Sequence, residues 1–588
     1  MATEPDAMVP VASLADLEAE GRTVVAENGR AIALFYHEGE VYAVDNRCPH
    51  MGFPLTRGTV EEGVLTCHWH HARFELEEGD TFDPWADDVQ TFPVEVRGDE
   101  IFIDPDPPQT VPPNVHWRNR LADGLHENLN LVMAKAVIGL DEAGEGFHTP
   151  IETAVNFGTK YRASGWGRGL TTLGCMANLY AEVGGRDKRR AMFMGVRDVA
   201  DDCAGEPPRF QQYAFDNRDL SKDRLKSWFR ESVEVRDADG AERCLLTAVA
   251  CLDPEEVAEI VFAAATDSLY LNAGHTVDFL NKAFTTLDHI GWHGQGDDED
   301  PNAAKVLAST VEQLTDATRS EELSSWRNPV DIADLVFDAH DRLPDLVAAG
   351  EGTEWNEPEG FVDELLVDDP EHIIDALTDA IREGATQTEL ADAVVRAATR
   401  RVAWFATNNE FADWNTVHHT FSYANAVYEA TQRTDAVELY RGCFDAAMSV
   451  YLDRFLNSPQ APLPEPGESD RDPADIREEL LACFDEQGQV NRAATLVSEH
   501  FDAGGDPEDL KRVMGRGLLR EDANFHTLQN VEGHFARFDE AADDWERRLC
   551  LMAPARYMAA HFPTRRSNEQ TFSIATRLHR GEKLHEAE

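Results

Sequence analysis

The sequence predicts two architectures in tandem: a small antiparallel β domain, then a large all-α region of degenerate helical repeats. Three observations carry that expectation. Short apolar runs broken by Gly, Asp and Asn turns fill residues 9–104. Five prolines then occupy the ten positions from Pro105 to Asn114. Beyond residue 118 apolar residues recur almost everywhere with helical spacing.

Taken in order, residues 1–8 read as a flexible N-terminus. Runs at 30–36, 40–44, 64–67, 92–96 and 100–103 read as strands of the domain 9–104. Residues 105–117 make a stiff, Pro-rich linker. In the α region, 118–588, Leu390, Val394, Val395, Ala398, Val402 and Phe405 share one helical face, with Glu389, Asp392, Arg396 and Arg400 mostly on the other. Asp253, Asp369 and Asp506 each precede Pro-Glu, an N-cap carboxylate before a proline whose missing N–H costs nothing at the first helical position. Breaks at 294–301 and 458–473 divide the region further.

The repeat is carried by the dipeptide His-Thr, which occurs at His148, His275, His419 and His526. Gly-Trp follows the first two at Gly165 and Gly291. This reads as duplication of a helical unit of ~110–140 residues. Thr149, Thr276, Thr420 and Thr527 are expected to be N-caps, with Thr149 and Glu152 forming a capping box. The preceding histidines are not explained by capping.

Charge limits the partners. Against 110 Asp and Glu stand 53 Lys and Arg, a net charge of -57. Nucleic acid is excluded as a partner on that ground. The acid excess is spread over both regions, which favours chains that work in concentrated salt, where the Debye length falls to ~3 Å at 1 M. A halophilic, cytoplasmic protein is the expectation. No apolar run approaches the ~20 residues that cross a bilayer, so no membrane insertion is expected. Nine scattered cysteines argue against a disulfide framework.

Two of those cysteines keep different company. Cys48-Pro49-His50 is followed, after 16 residues, by Cys67-His68-Trp69-His70. Two thiolates and two imidazoles on two turns can serve one inorganic centre. A structural zinc site uses the same ligand types, but its pairs usually run Cys with Cys and His with His. Here each loop offers one of each, the arrangement in which two His replace two Cys on one iron of a [2Fe-2S] cluster.

Val41–Gly58 and Leu65–Asp80 (VYAVDNRCPHMGFPLTRG and LTCHWHHARFELEEGD) resemble the two cluster-binding hairpins of the Rieske family, in its ferredoxin-type members. The resemblance implies that Cys48 and Cys67 hold one iron through sulfur, and that His50 and His70 hold the other through a ring nitrogen. It also implies an electron donor such as a ferredoxin or flavin reductase. Met51, Gly52 and Phe53 offer no cysteine for the extra disulfide of high-potential members, and His71, Ala72 and Phe74 stand where their hydroxyls would be. With fewer hydrogen bonds to sulfur, the potential is expected toward the low end of ~-150 to +300 mV. His71 replaces a usual glycine, and His68 is a bystander.

A Rieske centre moves one electron, so the helical region is expected to be a catalytic, oxygenase-like partner acting on a small-molecule substrate. No two histidines stand five residues apart, which removes the usual mononuclear-iron helix of Rieske oxygenases. His-Glu-x-x-His and a P-loop are also missing. Asp288, His289 and His293 could meet on one turn, though Gly291 and Gly294 interrupt it. The four histidines His148, His275, His419 and His526 are the candidates for catalysis or for a second metal, on the expectation that they converge on one cavity. The segments around His148, His275 and Asn524–Thr527 also resemble the questin-oxidase-like family, helical proteins linked to oxygen insertion into ring ketones, although no family motif is intact. The alternative is a non-enzymatic electron carrier or redox-responsive adaptor whose helical surface docks a separate oxidoreductase.

Overall fold

The structure, a computed structural model, describes residues 8–108, 111–293, 301–582 and 584. It divides into two compact units, Met1–Thr153 with Gln570–Glu588, and Ala154–Glu569. The small antiparallel β domain and the large helical region are both present.

The first unit holds three three-stranded antiparallel sheets. One is ordered β1 (Val9–Ser13), β9 (Glu100–Ile103), β8 (Val94–Arg97); the second β2 (Arg22–Glu27), β3 (Arg30–His37), β4 (Glu40–Asp45); the third β5 (Thr59–Glu61), β6 (Val64–Thr66), β7 (Arg73–Glu75). Period-two alternation makes β3 the wall between two cores. Ile32 and Leu34 pack with Leu17, Phe92, Ile101 and Ile103. Ala33 and Phe35 face the other way, onto Cys48, Leu65, Cys67 and Phe74. The strand expected over 92–96 begins only at Val94, because Pro93 has no N–H to give a ladder. The strand expected over 64–67 stops at Thr66, where Cys67 turns into its loop. Strands β1, β2, β5 and β7 and the short helix Leu14–Glu20, capped by Ser13, had weaker apolar patterns and were not expected.

The Pro-rich stretch leads directly into structure. Pro112 is the N-cap and Pro113 the first residue of the helix Pro113–His126, as fixed φ and absent N–H favour. A second helix, Asn130–Glu142, packs beside it. Both lie in the same compact unit as the strands.

The second unit is helical. Asp253, Asp369 and Asp506 cap their helices as expected, accepting N–H bonds of 3.0, 3.1 and 3.0 Å from Glu256, His372 and Glu508. The helix Gln387–Ala403 buries Leu390, Val394, Val395, Ala398 and Val402. The expected threonine caps are corrected. Gly274 caps the helix His275–Ile290, and Asn524 caps Phe525–Glu540 by accepting from the N–H of Thr527 at 2.9 Å. Thr420 lies inside the helix Asp413–Thr431 and gives its hydroxyl to Asp453 at 2.6 Å, and Thr149 gives its own to Glu145 at 2.7 Å. In each case a tertiary or upstream acceptor replaces the local capping bond. Of the break expected at 294–301, only Pro301 lies within the described residues. Among the described residues no helix is long and apolar enough to cross a membrane.

Candidate metal centres

The two loops that carry Cys-x-His and Cys-x-x-His are built alike. Cys48 N–H donates to Phe53 O at 2.8 Å and Gly52 N–H to Cys48 O at 2.8 Å. Cys67 N–H donates to Ala72 O at 2.8 Å and His71 N–H to Cys67 O at 3.0 Å. Each turn needs a left-handed residue at its fourth position after the cysteine: Gly52 has φ +83° and His71 φ +64°. Glycine adopts that region freely, whereas a residue with a Cβ pays roughly 1 kcal/mol or more. His71 is solvent-exposed at this position. His71→Gly is therefore expected to stabilise the loop by about 1 kcal/mol, read as a higher denaturation midpoint with the visible spectrum unchanged.

The turns aim backbone N–H groups at sulfur, those of His50 and Met51 at Cys48 and those of Trp69 and His70 at Cys67. Both cysteines are buried and unpaired by any disulfide. The hydrogen bond from the Cys48 thiol, followed by the loop N–H groups, brings Cys67 down to about 6 against the opposing effect of burial. That same hydrogen bond, then burial, pushes Cys48 up. The rings of His50 and His70 stand 4.9 Å apart, edge to face. His50 is half-buried against the Trp85 ring at 4.7 Å, while His70 is exposed. Burial, then the neighbouring His70 and Lys135, hold His50 down to about 4, with Asp87 opposing. Burial and His71 lower His70 as well. One ionisable thiol pair and two neutral imidazoles at one tip are a donor set that fits an iron–sulfur centre of mixed ligation.

Behind His50 lies a buried ion-pair group that sequence reading missed. Lys135, on the helix Asn130–Glu142, gives its ammonium to Pro49 O at 3.0 Å and to the carboxylate of Asp87. Arg120 Nε donates to the other oxygen of Asp87 at 2.9 Å. Burial alone would raise the Asp87 carboxyl, yet the two cations hold it below the usual range. The only sequence signal was a lysine inside an otherwise apolar helical run, LVMAKAVIGL.

In the second unit the structure brings three of the four predicted histidines together. Ligand nitrogens of His275, His419 and His526 all lie within 4.8 Å of one another. His419 Nε2 and His526 Nε2 are 3.0 Å apart, and the ring of His275 is 4.4 Å from that of His419. His275 begins its helix where Gly274, at φ +92°, lets the chain pass within reach of Tyr423 and Tyr270; a Cβ there would come to 2.9 Å from Tyr423. His526 lies in the first turn of its helix, but His419 projects from mid-helix. His148, the first residue of the helix His148–Gly158, falls within the first unit and is not part of the trio. Burial first, then the neighbouring imidazoles, lower His419 to about 2 and His526 to about 3, so both keep a free lone pair near neutral pH. Phe279 and Phe525 flank the His275 ring at 5.3 and 5.5 Å.

Partners of the trio were not legible beforehand. Asp278 Oδ2 stands 4.0 Å from His275 Nδ1 and accepts from Gln529, whose carbonyl lies 3.1 Å from His418 Nε2. Asp278 and Gln529 each sit three residues after a trio histidine, on the same helical face. Asp288, His289 and His293, which the glycines were expected to keep apart, are not brought together. Asp288 pairs with Arg433 at 2.7 Å and His289 with Asn178 at 2.7 Å, and the helix ends at Ile290, before His293, because Gly291 turns away at φ +83°.

The Rieske [2Fe-2S] domain family matches residues 7–93. The ferredoxin component of the naphthalene 1,2-dioxygenase system from Pseudomonas aeruginosa is 33% identical over 81 residues, which are 14% of this chain and 78% of that protein. The chain thus belongs to the Rieske [2Fe-2S] family through its N-terminal domain, and that domain implies a [2Fe-2S] cluster. Apoptosis-inducing factor 3 of Homo sapiens is 33% identical over 73 residues, so this chain spans only 12% of that relative's length. Among solved structures, the ferredoxin of carbazole 1,9a-dioxygenase from Nocardioides aromaticivorans IC177 is 28% identical, covering 17% of this chain and 98% of its own, with a TM-score of 0.16.

Proposed function

We propose that the chain is a Rieske oxidoreductase that delivers single electrons from its N-terminal cluster to a metal-dependent, oxygenase-like reaction in the helical unit. Cys48 and Cys67 hold one iron of the cluster and His50 and His70 the other. The cluster, when bound, supplies one-electron transfer. Around it the chain's own groups have separate tasks: the loop N–H groups stabilise sulfur charge, Trp85 covers the His50 side, and the exposed His70 presents the face a donor reaches. The donor is a ferredoxin or flavin reductase, and the substrate a small molecule.

The convergence of His275, His419 and His526 carries the enzymatic half of this reading. Three converging imidazoles suit a first-row transition ion, with ~2.1 Å bonds that two nitrogens 3.0 Å apart can share. Asp278, 4.0 Å from His275 Nδ1, adds a negative charge beside the trio that favours a bound cation. The likeness of these segments to questin-oxidase-like proteins agrees in class. The site serves a cytoplasmic protein of a salt-rich cell, to which the net charge of -57 is suited.

The test is metal and sulfide analysis of the full chain, purified without oxygen in molar salt. The expected result is two irons and two sulfides plus a further equivalent of transition metal. Two irons and two sulfides alone would return the helical unit to the role of a carrier or docking scaffold.

A further inference from the structure

We propose that Lys135 sets the cluster's reduction potential: its buried ammonium, held against the backbone carbonyl between Cys48 and His50, stabilises the reduced state and lifts the potential above what the two loops alone would give. The inference rests on the assignment of Cys48, His50, Cys67 and His70 as cluster ligands.

Lys135 is 6% exposed, and its ammonium lies 3.0 Å from Pro49 O. Pro49 is the single residue between the first cysteine and the first histidine. On the far side of the ammonium, Asp87 is 8% and Arg120 7% exposed. Arg120 is also fixed by Pro84 O at 2.8 Å and Ala86 O at 3.1 Å, on either side of the Trp85 that covers His50. Two buried cations thus share one buried carboxylate. The second carboxylate on Arg120, Asp123, has a side chain 52% exposed and is screened by water. The four charges sum to zero, and the one that touches the His50 loop is the Lys135 ammonium, at Pro49 O.

Reduction adds one negative charge to the cluster. A fixed positive charge in a low-dielectric surrounding favours that change, and burial protects its effect from salt. This matters for a chain whose loops lack the hydroxyl donors that would otherwise stabilise the reduced cluster. The residue itself is unusual here. Lys135 is the first lysine of the chain and the only one before Lys160, in a protein with 53 Lys and Arg of which 44 are Arg. A buried ammonium carries a desolvation cost that a methionine at the same place would avoid. The alternative is a purely structural clamp between the helix Asn130–Glu142 and the cluster loop, and charge-changing variants of opposite sign separate the two.

The experiment is a potentiometric titration of the full-length chain in molar KCl, followed by the paramagnetic signal of the reduced cluster. Lys135→Met is expected to shift the oxidised–reduced equilibrium toward the oxidised form by about tenfold, about 59 mV for one electron. Asp87→Asn, which leaves both cations, is expected to shift it in the opposite direction. Lys135→Arg keeps the charge and is expected to stay close to the parent. Shifts of the same sign in Lys135→Met and Asp87→Asn, or none in either, would overturn the proposal. If Lys135→Met fails to fold with its cluster, Asp87→Asn and Lys135→Arg still decide the sign. A parent chain with no such signal would instead overturn the ligand assignment.

Discussion

Cys67→Ala is expected to abolish the cluster: the visible absorption and the paramagnetic signal of the reduced state vanish, and the two irons and two sulfides leave with them. The thiolate of Cys67 is the more readily ionised of the buried pair, brought to about 6 by its bond from Cys48 and by the N–H groups of Trp69 and His70. Alanine offers no donor atom, and one cysteine with two imidazoles leaves an iron short of a ligand. The loss should also reach the fold of the first unit. Cys48 and Cys67 belong to the same buried cluster as Phe35, Val44, Leu65 and Phe74, so an empty tip leaves polar loop N–H groups facing a cavity. The second unit has its own buried apolar residues and should keep its helical signal. A variant that retained the cluster signals would sink the Rieske ligand assignment. His68→Ala is the control: its Nε2 meets the exposed Thr59 hydroxyl at 3.3 Å, and the cluster should survive.

The paired turns that carry Cys48 with His50 and Cys67 with His70 were legible because covalent neighbours set most of their geometry. A cysteine, a histidine one or two residues later, and a turn residue four after the cysteine are all local, so their order in the chain is close to their order in space. The strand β3 was legible as a strand, whereas its facing two cores was not, since Ile32 to Phe35 are apolar on both faces. What sequence could not give was long-range charge. Lys135 and Asp87 are 48 positions apart, and neither carries a local sign that it will meet the other. The threonine caps failed for a related reason. A hydroxyl before an apolar run reads as a cap, but Thr276 found the carbonyl of Gln313 at 2.9 Å and Thr420 found Asp453, both acceptors supplied by tertiary packing. The repeated His-Thr pairs did mark the trio, although His419 arrives there from the middle of its helix rather than from an entry turn.

Two adjacent histidines are expected to respond in opposite ways to replacement, and this is the most direct probe of the helical unit. His419→Ala removes one of the three imidazoles while breaking little else. The side chain makes a hydrogen-bond contact with His526 at 3.0 Å, and the ring is only half-buried. A metal held by three nitrogens and left with two should bind at least ~100-fold more weakly, beyond the 10- to 100-fold typical of losing an outer partner. Metal analysis should then find the helical unit's equivalent gone and the cluster's two irons intact, with substrate turnover lost and the unfolding midpoint nearly unchanged. His418→Ala should do the reverse. That ring is fully buried and bridges Gln529 at 3.1 Å and Asn530 at 3.2 Å, with burial holding it neutral. Its loss strands buried amides at about 1–3 kcal/mol each, read as a lower unfolding midpoint, with the ligand nitrogens of His275, His419 and His526 all still present. If His419→Ala keeps the full metal complement, the trio does not bind metal and catalysis must be sought elsewhere in the helical unit. A loss of metal in His419→Ala with the fold unchanged would locate the ion at the meeting point of the three helices that carry His275, His419 and His526.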